Sequence, residues 1–172
     1  IAIGERWLAT VGARFIDYTN TSPTSRYEAS RTTPAASIAY RFAKDANVYA
    51  SYIEGFEEGG QAPLTAVNAL QTLPALRTRQ VEVGAKALWQ GLLLQASLFD
   101  IRRPSAGTNT TTNVYEVAGD ARYRGLELSA NGELTRQWSV YASAILLDAE
   151  IVRAANNPAL LGKQPENTAR QT

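Results

Sequence analysis

The chain has 172 residues, 45% of them apolar and 19% charged, which suits one ordinary domain and excludes a low-complexity tail or a disordered charged arm. Its net charge of +1 lacks the clustered basic excess that nucleic acid demands. Histidine and cysteine are absent, so Ser-His-Asp and Cys-His nucleophiles, disulfides and the usual zinc sites are excluded, and no metal or cofactor site is expected.

The chain opens on Ile1, contains no methionine and shows no signal-peptide pattern, which reads as an internal piece of a longer chain or a processed product. The first element is an alternating run in which Trp7, Ala9, Val11, Ala13 and Phe15 oppose Leu8, Thr10, Gly12 and Arg14. A period of two is the mark of a strand with one apolar and one polar face. It predicts a strand over 5–18. The same split places strands at 34–42 (Ala36, Ile38, Tyr40, Phe42), 47–56, and 78–89 (Val81, Val83, Ala85, Ala87, Trp89). Further strands follow at 92–103, 114–134 (Leu126, Leu128, Ala130) and 138–151 (Trp138, Val140, Ala142, Ala144, Leu146), and an eighth is expected to begin near Lys163. Leu64–Leu76 carries Pro63 and Pro74 at its ends, so a short loop helix is the most it supports. No apolar run reaches the roughly 20 residues of a membrane-spanning helix.

The connections alternate between long and short. Thr19–Thr33, Glu57–Arg77, Pro104–Asn113 and Val152–Gly162 are long; Ala43–Ala46, Gln90–Gly91 and Thr135–Gln137 are short. In an antiparallel meander this sorts all tight turns to one end and all polar loops to the other, as in outer-membrane barrels. Trp7, Trp89 and Trp138 each stand beside a short turn on the apolar parity, and Phe42 does likewise. That is the position of an interfacial aromatic girdle. The other face, with Arg14, Arg41, Glu82, Lys86, Gln95, Glu127 and Glu133, is too polar for a dry core, since unpaired buried charges cost several kcal/mol each. The expected fold is all-β: about seven to eight meander strands of an antiparallel transmembrane β-barrel, apolar face to lipid and polar face to a wet lumen.

Several segments then carry a family likeness. Val48-Tyr49-Ala50-Ser51-Tyr52-Ile53-Glu54-Gly55-Phe56 resembles a strand entering a long extracellular loop in TonB-dependent siderophore receptors. Arg79-Gln80-Val81-Glu82-Val83-Gly84-Ala85-Lys86 resembles that family's Q-x-E-x-G-x-K strand, Leu98-Phe99-Asp100-Ile101 the strand after it, and Arg124-Gly125-Leu126-Glu127-Leu128 its R-G-x-E-L strand. Leu147-Asp148-Ala149-Glu150 and Gly162-Lys163-Gln164-Pro165-Glu166-Asn167 are similar to segments around the next loop. The resemblance implies a receptor in the outer membrane of a Gram-negative bacterium that takes up a ferric siderophore with energy from TonB. Such barrels have about 22 strands and a plug, so residues 1–172 are expected to be a partial barrel without plug domain, TonB box or final strands. Two other readings stay open. One is a complete small barrel serving as adhesin or pore. The other is a soluble ligand-binding barrel with the apolar set inside.

No residue earns a catalytic role: there is neither a Gly-rich phosphate loop nor a G-x-S-x-G elbow. Phe56, Arg102, Arg103, Tyr115 and Tyr123 fall near the extracellular rim and are the candidate ligand contacts, because siderophore complexes are often anionic and carry flat chelating groups. Arg122 and Arg124 are either contacts for lipopolysaccharide phosphates or ordinary rim charges. Glu54, Glu57 and Glu58 read first as a solvated loop, second as a cation site. Gly84 and Gly125, on the lumen parity, are expected to leave room for a plug.

Overall fold

A computed structural model describes residues 2–22, 25–155, 157–165 and 168. It is one eight-stranded antiparallel sheet in which every strand pairs with its sequence neighbours. The strands are β1 (Ala2–Ile3), β2 (Trp7–Ser22), β3 (Ser25–Ala43), β4 (Ala46–Glu57), β5 (Leu76–Trp89), β6 (Leu92–Thr108), β7 (Tyr115–Thr135) and β8 (Trp138–Ala154). The expected first strand, 5–18, is β2, and the unexpected β1 precedes it, with Gly4 at φ +68° turning the chain back before Trp7.

Register converts the alternation into faces. Directly opposed residues point the same way, and the ladders align Trp7, Tyr40, Val48, Ala85, Ala96, Leu128 and Ala144 in one row. The next apolar row is Ala9, Ile38, Ala50, Val83, Leu98, Leu126 and Leu146. On the other face, Arg41, Asn47, Lys86, Gln95, Ser129 and Ser143 form a row with no apolar member. A one-residue slip would exchange the two faces.

Neither face is covered. Val83 is 48% exposed and Leu128 45%. Among the described residues no large side chain is fully buried, and the buried apolar residues are Ala62, Ala66, Leu73, Ala118, Ala121 and Ala154, all near the loop end. A sheet this wide with an open apolar face has no stable form in water; lipid against that face supplies the missing layer.

The short turns show how the ends are built. Gln90 (φ +48°) and Gly91 (φ +83°) both take left-handed backbone, as a type I′ hairpin requires, and Trp89 pairs Leu92 with no irregularity. Lys44–Asp45 and Arg136–Gln137 have no positive φ, and their hairpins each hold a bulge, at Phe42 and at Leu134. An ordinary turn splays twisted strands, and the extra residue restores the twist.

The opposite end departs from expectation. The expected loop Thr19–Thr33 is mostly ladder: pairing continues from Thr19↔Glu28 to Ser22↔Ser25, and the tip residues 23 and 24 lie outside the described residues. Likewise β6 runs to Thr108 and leaves only 109–114 as loop. Beyond the lipid both faces are wet, so the period of two vanishes while the backbone still needs partners. Two prolines inside these long strands are tolerated for a related reason. Pro34 sits just past the last β3–β4 pair, Ala35↔Ile53, and Pro104 past the last β5–β6 pair, Arg79↔Arg102, so each lies where its strand has become an edge. The short helix expected in Leu64–Leu76 does not form: isolated turns such as Ala66 N–H to the Pro63 carbonyl (3.0 Å) replace it, and Leu70 has φ +62°. One 3₁₀ turn, Pro158–Leu160, follows β8. Among the described residues no strand begins at Lys163; Ile151 instead exchanges backbone bonds with Gly162 (2.9 Å) and Lys163 (2.8 Å). Glu166 and Asn167 lie outside the described residues.

Candidate functional site

The chemistry-bearing side chains lie on three levels, from the tight-turn half of the lumen face up to the loop end. Nearest the lumen wall, the Tyr49 hydroxyl donates to Glu82, Gln80 Nε2 donates to Glu82 Oε2 (3.1 Å), and Gln95 Nε2 donates to Tyr49 (3.3 Å). Lys86 Nζ lies 4.9 Å from the centre of the Tyr49 ring. Around Tyr49 the polar face is thus a linked network rather than a set of loose charges. Gly84 and Gly125 belong to it differently than expected. A Cβ on Gly84 would stand 2.7 Å from the Tyr49 ring, and one on Gly125 2.6 Å from the Phe99 ring. The room over these glycines is filled by aromatic rings of the neighbouring strands, not left for a plug.

At the rim, Glu57 takes both Nε (2.9 Å) and Nη2 (2.6 Å) of Arg103, plus the Thr78 hydroxyl (2.7 Å). The Arg103 fork, followed by the Thr78 hydroxyl, holds the Glu57 carboxyl below the usual carboxylate range. Tyr123 shares the inward parity with Arg103. Above them, Tyr18 is flanked by Tyr27 (centroids 6.1 Å apart) and Phe56 (6.2 Å). The Tyr18 hydroxyl donates to Glu58 Oε2 (3.0 Å), which raises the Tyr18 pKa, and burial raises that of Tyr27.

The loop 58–75 is fixed by two asparagines. Asn68 exchanges two bonds with the Tyr115 backbone, Nδ2 to its carbonyl (2.9 Å) and Oδ1 from its N–H (2.8 Å), so the amide side chain acts as one residue of an added strand. Asn113 Nδ2 donates to the Thr65 carbonyl (2.8 Å), and Val67 N–H to the Asn113 carbonyl (2.9 Å). The loop therefore docks on the β6–β7 hairpin.

The candidate contacts do not form one group. Phe56 joins the Tyr18–Tyr27 cluster, Arg103 and Tyr123 face inward, Tyr115 is held by Asn68, and Arg102 lies on the outward parity with Arg79 and Arg122. Glu54, Glu57 and Glu58 are parted among Arg77, Arg103 and Tyr18, which replaces a shared cation site with separate pairs. Arg122 is held by Asp100 (Nε to Oδ2, 3.0 Å) and Arg124 by Asp148 (3.2 Å) and Glu150 (3.3 Å). Trp7, Trp89 and Trp138 stand exposed on the apolar face beside the short turns, and Phe42 is the exposed bulge residue before Lys44. Sequence reasoning missed Tyr18, Tyr27, Asn68 and Asn113: Tyr18 closes the expected strand 5–18, Asn68 lies in the Leu- and Ala-rich stretch 64–76, and Tyr27 and Asn113 fall in Thr/Asn/Ser-rich stretches without periodicity.

A family description, TonB dependent receptor-like β-barrel, matches residues 1–172. The ferrichrome receptor FcuA of Yersinia enterocolitica is 33% identical over 135 residues, 76% of this chain and 18% of that protein. The crystal structure of BauA, the ferric preacinetobactin receptor of Acinetobacter baumannii, superposes with a TM-score of 0.76 at 25% identity, over 96% of this chain and 26% of that one. The alcaligin outer-membrane receptor FauA of Bordetella pertussis gives 0.72 at 24% identity, over 99% and 31%. The chain spans about a fifth of the length of the curated relatives it matches, 18% and 24% of the first two.

Proposed function

The chain belongs to the TonB-dependent receptor β-barrel family, whose members are outer-membrane receptors, and from that premise we propose that it supplies wall and extracellular loops to a receptor taking up a ferric siderophore. In this reading residues 1–172 are part of a larger barrel, and plug and TonB contacts belong to other segments of the same protein. Its role is binding and passage rather than catalysis. The ligand arrives at the loop end, where Arg103 and Tyr123 face inward at the rim and Tyr18, Tyr27 and Phe56 present aromatic surface above them. Arg103 supplies a fixed planar cation for an anionic chelate, and the rings offer flat faces to its chelating groups. Tyr115 contributes by holding the loop 58–75 beside this surface, while Arg102 serves the outward rim.

The observation that carries the reading is the sorting of the sheet's ends: four tight turns, three beside a tryptophan and the fourth beside Phe42, and at the other end a paired platform of aromatic and charged side chains.

The test is binding of a panel of ferric siderophores to the complete receptor in detergent. Arg103→Ala and Tyr123→Ala should each weaken the bound member by roughly tenfold, the scale of one charge-assisted hydrogen bond or one aromatic contact. Unchanged affinity for every panel member in both variants would remove these residues from the ligand surface.

A further inference from the structure

The β2–β3 hairpin sorts its charges by face. Its ladder puts Arg14 opposite Thr33, Ile16 opposite Arg31, Tyr18 opposite Ala29 and Asn20 opposite Tyr27, all on one face. The carboxylates of the ribbon, Asp17 and Glu28, stand on the other face, where Arg26 Nε donates to Glu28 (2.7 Å). Among the described residues the Tyr18 face of the ribbon therefore carries two arginines and no carboxylate. Arg14 and Arg31 are both exposed, and neither guanidinium has a hydrogen bond or ion pair among the described residues. Glu58, from the neighbouring loop, gives its oxygens to the Tyr18 hydroxyl (3.0 Å) and to Asn20 Nδ2 (3.4 Å) rather than to an arginine.

This face looks into the barrel. One inward row runs through Gly12, Ala35, Ile53, Gln80, Ile101 and Tyr123, and Arg14 and Arg103 each lie two residues beyond it on their strands. Arg14 thus shares the register level of the Arg103–Glu57 pair. Arg103 brings its own counter-charge, because Glu57 binds both its Nε and its Nη2 and the pair is neutral as a unit. Uncompensated positive charge on the inward rim is therefore found on β2 and β3. Arg14 and Arg31 are diagonal neighbours across the ladder, about 7–8 Å apart at the backbone. Tyr18 is diagonal to Arg31 in turn, and Tyr27 stacks edge-on beside it. Two cations and two rings make one continuous strip.

We propose that Arg14 and Arg31 form a charge-recognition subsite that restricts the cargo to iron(III) chelates of net negative charge. The inference rests on the uptake reading and adds the class of chelate to it. Hydroxamate ligation balances the ferric charge and leaves a neutral complex. Catecholate and hydroxycarboxylate ligation exceed it, and their oxygens carry the surplus. An anionic chelate exchanges the water on both guanidinium groups for charge-assisted hydrogen bonds. A neutral one strips that water and leaves the cations unpaired, which costs free energy. Selection thus works by rejection as well as attraction.

The test uses the complete receptor in detergent, titrated with a tris-catecholate, a citrate and a tris-hydroxamate chelate of iron(III). Binding should be confined to the anionic chelates, and Arg14→Gln/Arg31→Gln should weaken the bound one by about tenfold or more. Affinity should fall as salt rises in the native protein, and that slope should flatten in the double variant. A merely structural role would lower affinity and leave the slope unchanged. Arg14→Lys/Arg31→Lys keeps the charge without the fork, so it should retain the slope with weaker binding. Arg136→Gln, in a tight turn, should change nothing. The comparison among chelates in the native protein needs no variant and stands where the Gln pair folds poorly. A tris-hydroxamate bound as tightly as an anionic chelate overturns the inference and leaves the uptake reading standing. So does an anionic chelate held equally by native protein and double variant. Binding of no chelate overturns both.

Discussion

At the residue scale the wall depends on fitted pairs. The Gly125 Cα faces the Leu146 carbonyl and the Phe99 ring, and a side chain there meets both, at 2.4 and 2.6 Å for a Cβ alone. Gly125→Val should therefore cost about 1–3 kcal/mol of unfolding free energy, the range for overpacking, and Phe99→Ala in the same chain should recover part of it. Denaturant unfolding of the detergent-folded receptor checks this; equal stability of Gly125→Val and native protein would show that the ring does not occupy the space. The rim pair has a pH signature. Arg103, first among its causes, keeps the Glu57 carboxyl ionised below its ordinary range. A depressed carboxylate contributes stability above its unfolded pKa, about 4.3, and loses it as pH falls through the lower folded value. Because Arg103 is about half and Glu57 about a third exposed, the contribution is modest, at most about 1 kcal/mol. Amide exchange at β4's outer end, corrected for intrinsic rate, should rise between pH 7 and pH 3 in the native protein, and Glu57→Gln should flatten that rise.

At the element scale the turns and the docked loop make separate claims. Gly91→Ala forces a Cβ into left-handed backbone at φ +83°, for a cost of about 1 kcal/mol, whereas Asp45→Ala, in a turn with negative φ, should be neutral within about 0.5 kcal/mol. The same unfolding measurement separates them. Asn68→Ala removes both bonds to Tyr115 and should release the loop 58–75 to limited proteolysis, with the strands left intact. A loop as resistant as before would mean that Ala62, Ala66 and Leu73, not Asn68, hold it. How far the elements were legible follows from where periodicity survives. Between the aromatic girdle and Val83, Leu98 and Leu146, one face meets lipid and the other water, so Trp7–Phe15 and Val81–Trp89 announce their strands. Outside that band the constraint disappears. Residues 19–22 and 25–33 read as loop although they are ladder, because Thr, Ser and Arg suit both faces of a wet hairpin. Asn68 and Asn113 were invisible because their partners are backbone groups 47 and 48 residues away.

At the scale of the whole molecule, one inequality organises everything above: two faces of one sheet in two different solvents. The row Arg41, Asn47, Lys86, Gln95, Ser129, Ser143 and its neighbour Tyr40, Val48, Ala85, Ala96, Leu128, Ala144 lie one residue apart along each strand and share no chemistry. A soluble barrel with the apolar set inside would bury Val83 and Leu128, which stand about half exposed on a single layer. Nitroxide labels are placed singly along β5 from Val81 to Ala87 in the membrane-reconstituted receptor, with any cysteine outside residues 1–172 replaced; residues 1–172 contain none. Their collisions with dissolved oxygen, enriched in acyl chains, are compared with those with a water-soluble nickel chelate. The account predicts oxygen-dominated relaxation at 81, 83, 85 and 87 and chelate-dominated relaxation at 82, 84 and 86. An inverted phase, or no alternation across these seven positions, would contradict it.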